Sequence, residues 1–212
     1  MVWIKICGIT NKKDALDAAA LGADALGLVF ANSPRRVAPE TARQIIRALP
    51  AGIEKIGVFV NEGRAQVAEI AEYCGLTGLQ FHGEETPQYC GYFRDYQVIK
   101  AIRVRERPGT DSVELLVRNG GVKRILLDTY VPRQRGGTGK TFPWEITAQS
   151  AWGGVPVIIA GGLTPENVKI AVEIAKPFGI DVSSGVEKEP GIKDLRRLTC
   201  FMQKARKGQR NE

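Results

Sequence analysis

The chain has 212 residues, 43% of them hydrophobic and 25% charged, with a formal net charge of +7. These proportions suit one globular domain with a large core and exclude a disordered chain. No apolar run approaches the roughly 18 residues of a membrane span, and the first residues already read as a strand rather than a leader, so a cytoplasmic protein with no membrane partner is expected.

The expected elements alternate along the chain. Val2–Ile6 reads as a strand and Lys13–Ala20 as a helix closed by Gly22. Ala25–Phe30 is the next strand; Pro39 then opens a helix to Leu49 that Pro50 stops. Lys55–Val60 and Gly78–Phe81 are strands, each followed by a helix, at Arg64–Cys74 and Thr86–Phe93. Gln97–Ile102 is a strand and Ser112–Asn119 a helix ended by two glycines. Arg124–Asp128 is a strand, followed by a long polar, Gly-rich loop to about Pro143 and a short helix at Glu145–Gln149. Val155–Ala160 is a strand, and a helix from Asn167 to Ala175 has Thr164 as candidate N-cap and Pro165 at its first turn. Gly179–Val182 is the last strand and Lys193–Lys207 the last helix.

Repeated strand–helix units imply parallel strands. Near-continuous apolar runs such as Ile125-Leu126-Leu127 imply a sheet covered on both faces. Eight such units close into a single-domain (β/α)8 TIM barrel, expected over residues 1–212 with 204–212 as a basic tail. An open doubly wound sheet that bound a dinucleotide would carry G-x-G-x-x-G after its first strand; here that turn is Cys7-Gly8-Ile9-Thr10.

Chemistry in a barrel sits at the C-terminal ends of its strands. Those ends carry Cys7, Arg35-Arg36, His82, Asp128, Gly161-Gly162 and Ser183-Ser184-Gly185. Glycines in the last two loops let backbone amides approach an anion, and barrel enzymes often hold a phosphate there. One of the two arginines, aimed by the stiff Ser33-Pro34 turn, suits a carboxylate. Cys7 lies before a helix start, whose dipole favours a thiolate. Asp128 must be desolvated if it is to keep a proton for donation. His82 suits either substrate binding or loop ordering. Gly136-Gly137-Thr138-Gly139-Lys140-Thr141 fails as a phosphate-binding Walker loop, because Gln134 stands where its first glycine belongs. A mobile loop over the pocket is expected instead.

Cysteines stand at 7, 74, 90 and 200 with no C-x-x-C pair, and His82 is the only histidine, which argues against structural zinc. From residue 193 onward there are seven basic and two acidic side chains, so most of the net charge lies at the C-terminus. No aromatic-rich motif accompanies it, and no nucleic-acid partner is expected.

Several motifs fall together in order: Lys5-Ile6-Cys7-Gly8-Ile9-Thr10, Ser33-Pro34-Arg35-Arg36-Val37, Gln80-Phe81-His82-Gly83, Leu127-Asp128 with Gly136 to Phe142, Gly161-Gly162-Leu163-Thr164-Pro165, and Asp181-Val182-Ser183-Ser184-Gly185-Val186. On these the chain resembles the phosphoribosylanthranilate isomerases of tryptophan biosynthesis, from about residue 4 to residue 194. The resemblance implies an Amadori rearrangement of a phosphoribosyl amine without metal or cofactor. It implies Asp128 as general acid, Cys7 as thiolate base, Arg36 on the anthranilate carboxylate and Asp181 on the ribose side. The loops at Gly161-Gly162 and Ser184-Gly185 would hold the phosphate. Phe81 replaces the family's usual leucine and Pro143 its usual aspartate. Two other readings are the related aminoribose-phosphate isomerisation of histidine biosynthesis, whose usual catalysts are two aspartates, and a non-catalytic phosphate-sugar binding barrel.

Overall fold

The structure is a computed structural model that describes residues 1–104, 115, 117–118, 121–129, 144 and 154–208. Eight parallel strands close into a barrel in sequence order. They are β1 (Trp3–Cys7), β2 (Ala25–Val29), β3 (Glu54–Phe59), β4 (Gly78–Phe81), β5 (Gln97–Val104), β6 (Arg124–Thr129), β7 (Val157–Ile159) and β8 (Gly179–Val182). The described helices are α1 (Lys12–Ala20), α2 (Pro39–Arg47), α3 (Arg64–Cys74), α4 (Pro87–Gly91), α5 (Val168–Ala175) and α6 (Leu195–Lys207). The fold is the expected (β/α)8 barrel. The expected Gly-rich loop to Pro143 and the helix at 145–149 lie outside the described residues. Of the helix expected at 112–119, residues 115, 117 and 118 are described, and they are helical.

Successive residues of a strand point to opposite faces, and the core divides accordingly. Trp3, Ala25, Ile56, Ile99, Leu126 and Ile158 belong to one buried cluster inside the barrel. Their neighbours Ile4, Leu26, Val98, Ile125, Leu127 and Ile159 belong to the larger cluster beneath the helices. The bottom of the barrel is closed by a polar clamp. Arg124 pairs with Glu54 through two bonds of 2.8 and 3.0 Å and lies over the Trp3 ring, whose Nε1 donates to Glu54.

Boundaries shift where caps and ladders outweigh local pattern. β1 ends on Cys7 rather than Ile6, because parallel pairing of Cys7 with Gly27 extends the ladder. Regular helix α5 starts at Val168, since the Thr164 hydroxyl accepts from Glu166 N and caps a separate turn before it. The predicted start of the last helix at Lys193 is also revised. Glu187–Glu189 (β9) and Ile192–Lys193 (β10) pair antiparallel, and Asp194 caps α6 by accepting from the amides of Arg196 and Arg197. That helix runs to Lys207 with Ala205 fully buried, so residues 204–207 of the basic segment pack as helix.

The loop after β4 is held by a buried ion pair. Glu85 accepts from Asn61 N at 2.8 Å and Gly83 N at 2.9 Å, and pairs with Lys100 Nζ at 3.1 Å. Lys100 Nζ also donates to the carbonyls of Phe81, Gly83 and Ala101. Removing one partner of such a pair leaves the other charge buried. Glu85→Ala should therefore lower unfolding stability by about 3–5 kcal/mol in urea titration; a loss below about 1 kcal/mol would show that the carbonyl bonds alone hold Lys100.

Candidate active site

The C-terminal mouth of the barrel opens into a cavity of about 360 Å³. That is at the small end of the range for small-molecule sites. Its wall includes Cys7 from β1, His82 just after β4, Asp128 from β6, Asp181 from β8, and the loops following β7 and β8. Four strands supply these polar groups, because inner-facing positions at this level reach the same space, while Val29 and Val58 line it from β2 and β3.

Asp128 is buried and held on both oxygens. Thr129 N donates to Oδ1 at 2.9 Å, and His82 Nε2 lies 3.2 Å from Oδ2. Gln80 Nε2 lies 3.1 Å from His82 Nδ1. An amide nitrogen only donates, so Nδ1 accepts and the proton sits on Nε2, facing Asp128. Gln80, His82 and Asp128 thus form a chain of hydrogen bonds across β4 and β6. The Gln80 Oε1 atom is buried without a hydrogen-bond partner among the described residues, on a side chain that lines the cavity.

Cys7 is buried at the end of β1. Burial pushes its thiol up, Lys5 draws it down, Asp181 pushes it up again and Lys193 draws it down, and the net direction is upward. This revises the expectation of a helix-favoured thiolate. Helix α1 starts at Lys12 behind an Asn11 cap, and a helix dipole acts within its own first turn.

The two loops expected to hold phosphate meet behind this pair. Gly161 and Gly162 have φ of +83° and +64°, the left-handed region that favours glycine. A Cβ on Gly161 would come 2.7 Å from Asp128 Oδ1, so its absence lets the loop lie against the acid. A Cβ on Gly185 would run into the Leu163 carbonyl, so the loops are in backbone contact. The amides of Gly162, Ser184 and Gly185 have no acceptor among the described residues, nor has the Ser183 hydroxyl a partner there.

The two arginines after β2 divide their roles. Arg35 is locked to Glu187 by bonds of 2.9 Å from Nε and 2.7 Å from its terminal nitrogen. Arg36 is exposed on the rim and lies outside the cavity wall. Its guanidinium makes no ion pair among the described residues. Of the two, Arg36 is the one left open for a carboxylate.

Sequence reasoning missed three supporting residues. Lys193, read as part of the last helix, is buried; its Nζ donates to Cys7 O at 2.6 Å, Glu187 Oε1 at 2.8 Å and Ser183 O at 3.3 Å. Glu187 joins it to Arg35. Lys5 is fully buried inside the barrel. Its position two residues before Cys7 in an apolar strand was the available signal; for Lys193 and Glu187 the local sequence carries none. Among the described residues, no group of three or more His, Cys, Asp or Glu is arranged to hold a metal ion, and no described helix is long and apolar enough to cross a membrane.

The family profile of N-(5'-phosphoribosyl)anthranilate (PRA) isomerase matches residues 4–204. The chain belongs to the N-(5'-phosphoribosyl)anthranilate isomerase family. The isomerase of Moorella thermoacetica is 47% identical over 209 residues, covering 99% of this chain and 92% of its own. The solved phosphoribosyl anthranilate isomerase of Thermotoga maritima is 40% identical with a TM-score of 0.87, covering 98% of this chain and all of its own. A further structure of this family, 38% identical with a TM-score of 0.84 and coverage of 98% and 100%, was solved in complex with reduced 1-(o-carboxyphenylamino)-1-deoxyribulose 5-phosphate.

Burial pushes the Glu187 carboxyl up, but bonds from Arg35 and Lys193 outweigh it and hold the group below the usual carboxylate range. A depressed folded value stabilises the protein above the unfolded value, and that stabilisation is lost as pH falls through the folded one. Urea midpoints of the unaltered chain should fall between about pH 5 and pH 3, and those of Glu187→Gln should fall less; parallel curves would contradict the assignment. Separately, Gly185→Ala should weaken binding of inorganic phosphate about tenfold or more by calorimetric titration, and unchanged affinity would remove these loops as an anion site.

Proposed function

We propose that Asp128 and Cys7 are the acid and base of the isomerase reaction, worked across the cavity they share. As a family member the chain is an isomerase of tryptophan biosynthesis that converts N-(5'-phosphoribosyl)anthranilate into 1-(2-carboxyphenylamino)-1-deoxyribulose 5-phosphate. The observation that carries the assignment of roles is that Cys7, Asp128 and both glycine-rich loops line one space. A phosphate seated on the loops brings the sugar carbons between the two side chains.

The chemistry runs in two side-chain proton transfers followed by a tautomerisation. Asp128 gives its proton to the ribose ring oxygen; the C1–O bond breaks and the nitrogen lone pair forms a cationic Schiff base. His82, donating to the far oxygen of Asp128, fixes which oxygen faces the sugar. Cys7 as thiolate then takes the proton from C2, and the electron pair moves to give a neutral enolamine. The enolamine takes a proton at C1 and loses one from the C2 hydroxyl, leaving the ketone. The cationic Schiff base itself favours the thiolate beside it, which offsets the burial that keeps the resting thiol protonated. Arg36 holds the anthranilate carboxylate at the rim, and Asp181 and His82 complete the ribose side. Both proton transfers use side chains, and the reading includes no metal, no cofactor and a cytoplasmic location for one barrel domain. The family match favours this reaction over the aminoribose-phosphate isomerisation of histidine biosynthesis and over a non-catalytic phosphate-sugar binding barrel.

The direct test follows the loss of substrate fluorescence with the purified chain and N-(5'-phosphoribosyl)anthranilate; no turnover ends the reading. Cys7→Ala and Asp128→Ala should each lower kcat about 100-fold or more, and near-normal turnover in either removes that residue from the mechanism. Arg36→Ala should chiefly raise KM, whereas a fall in kcat alone would give it a transition-state role. Because the reaction needs a protonated acid and an ionised thiol at the same time, kcat/KM should be bell-shaped in pH, and the upward push of burial on the thiol places the alkaline limb high; a profile that falls on neither side would contradict the acid–base pair.

A further inference from the structure

Lys5 is the one fully buried cation inside the barrel among the described residues, and the proton transfers above do not use it. It stands two residues before Cys7 on β1, so the pleat turns both side chains to the same inner face. The register pairs Lys5 with Asp181 on β8 and Cys7 with Gly27 on β2. Lys5 Nζ donates to Asp181 Oδ1 at 3.0 Å.

The gap at Gly27 locates the other neighbour. A Cβ there would lie 2.8 Å from Cys7 Sγ and 3.0 Å from Lys5 Nζ. The thiol and the ammonium therefore share the space that a side chain on β2 would fill, within about 6 Å of each other, the range over which opposite charges hold one another. An ammonium has three N–H donors. Lys100 spends its donors on three carbonyls and a carboxylate, and Lys193 on two carbonyls and a carboxylate. Lys5 has a single oxygen acceptor among the described residues, Asp181. The remaining donor capacity lies beside the sulfur.

We propose that Lys5 is the positioning residue for the Cys7 thiolate, its buried ammonium supplying the counter-charge, and that Asp181 sets how much of that charge the sulfur feels. The proposal deepens the isomerase reading and rests on Cys7 as its base. It makes the two partners act in opposite directions. Lys5 stabilises the sulfur anion, and Asp181, being negative and bound to the same ammonium, opposes it. The directions at Cys7 agree: after burial, Lys5 is the largest influence favouring the anion and Asp181 opposes it. The charged groups that face Cys7 are Lys5 from its own strand, Asp181 from β8 and Lys193 from β10. Lys193 is already paired with Glu187, which Arg35 also holds. Asp128 and His82 share the cavity with it.

The test is the pH dependence of Cys7 alkylation by iodoacetamide, resolved by peptide mass spectrometry from Cys74, Cys90 and Cys200. Lys5→Met should raise the alkylation midpoint by about one pH unit or more, and Asp181→Asn should lower it. A merely structural role would not split the two variants in sign. Where Lys5→Met fails to fold by circular dichroism, the isosteric Asp181→Asn carries the test alone. Midpoints that stay put, or that move the same way in both variants, overturn the proposal, as does an unchanged or raised midpoint in Asp181→Asn alone. Alkylation needs no turnover, so the two readings separate. Opposite alkylation shifts matched by the alkaline limb of kcat/KM support both. Opposite shifts with an unmoved kcat/KM profile support Lys5 as the setter of the thiol charge and remove Cys7 as the base.

Discussion

Closure of eight parallel strands forces alternate side chains into a shared interior, and everything at the mouth depends on it. A strand in an open sheet points its second face at a covering helix. In the closed barrel the inner residues of all strands face one another. Lys5 and Cys7 on β1, Gln80 on β4 with His82 just beyond it, Asp128 on β6 and Asp181 on β8 are far apart in the chain and neighbours in space. Below them the same positions carry Trp3, Ile56, Leu126 and Ile158, so the lower interior is apolar and the polar groups gather in the upper interior. Function is confined to one end because the lower layer fills the other.

An interior this polar is tolerated because its charges are paired and hydrogen-bonded across strands. Lys5 rests on Asp181. Glu187 lies between Arg35 and Lys193, and Lys193 in turn holds the carbonyl of Cys7. Lys100 and Glu85 do the same service beneath the loop that carries His82. Each pair ties a loop to a strand or one strand to another. The site is therefore rigid through electrostatics as well as packing, which suits a reaction that requires a proton donor and a proton acceptor at fixed places about one sugar.

The proposed acid and the proposed base are prepared differently. Asp128 is ordered by hydrogen bonds from a backbone amide and an imidazole whose tautomer Gln80 fixes. Cys7 has burial working against its anion and cations working for it. A group balanced in this way responds strongly to a new neighbouring charge, and the Schiff base formed by ring opening is such a charge. On the proposed mechanism, the first proton transfer thereby favours the second.

The barrel was legible from the residue order alone. Strand-length apolar runs, helix caps and glycine stops are local signals, and their repetition leaves few topologies. It also placed Cys7, His82, Asp128 and the two glycine-rich loops on the rim, because strand ends can be read from where apolar runs stop. Asp181 and Arg36 entered through family resemblance, since neither a carboxylate near a strand end nor a surface arginine declares its partner. Which charges meet emerges only on folding. Lys193 reads as one more basic residue near a basic terminus, yet the β9–β10 hairpin buries it under Cys7. Local pattern does not separate Arg35 from Arg36, whereas Glu187, some 150 positions away, takes one and leaves the other open. The thiol was expected to be lowered by a helix, and burial raises it instead. Periodicity is written in neighbouring residues, whereas desolvation and ion pairing depend on groups that only closure of the barrel brings within reach.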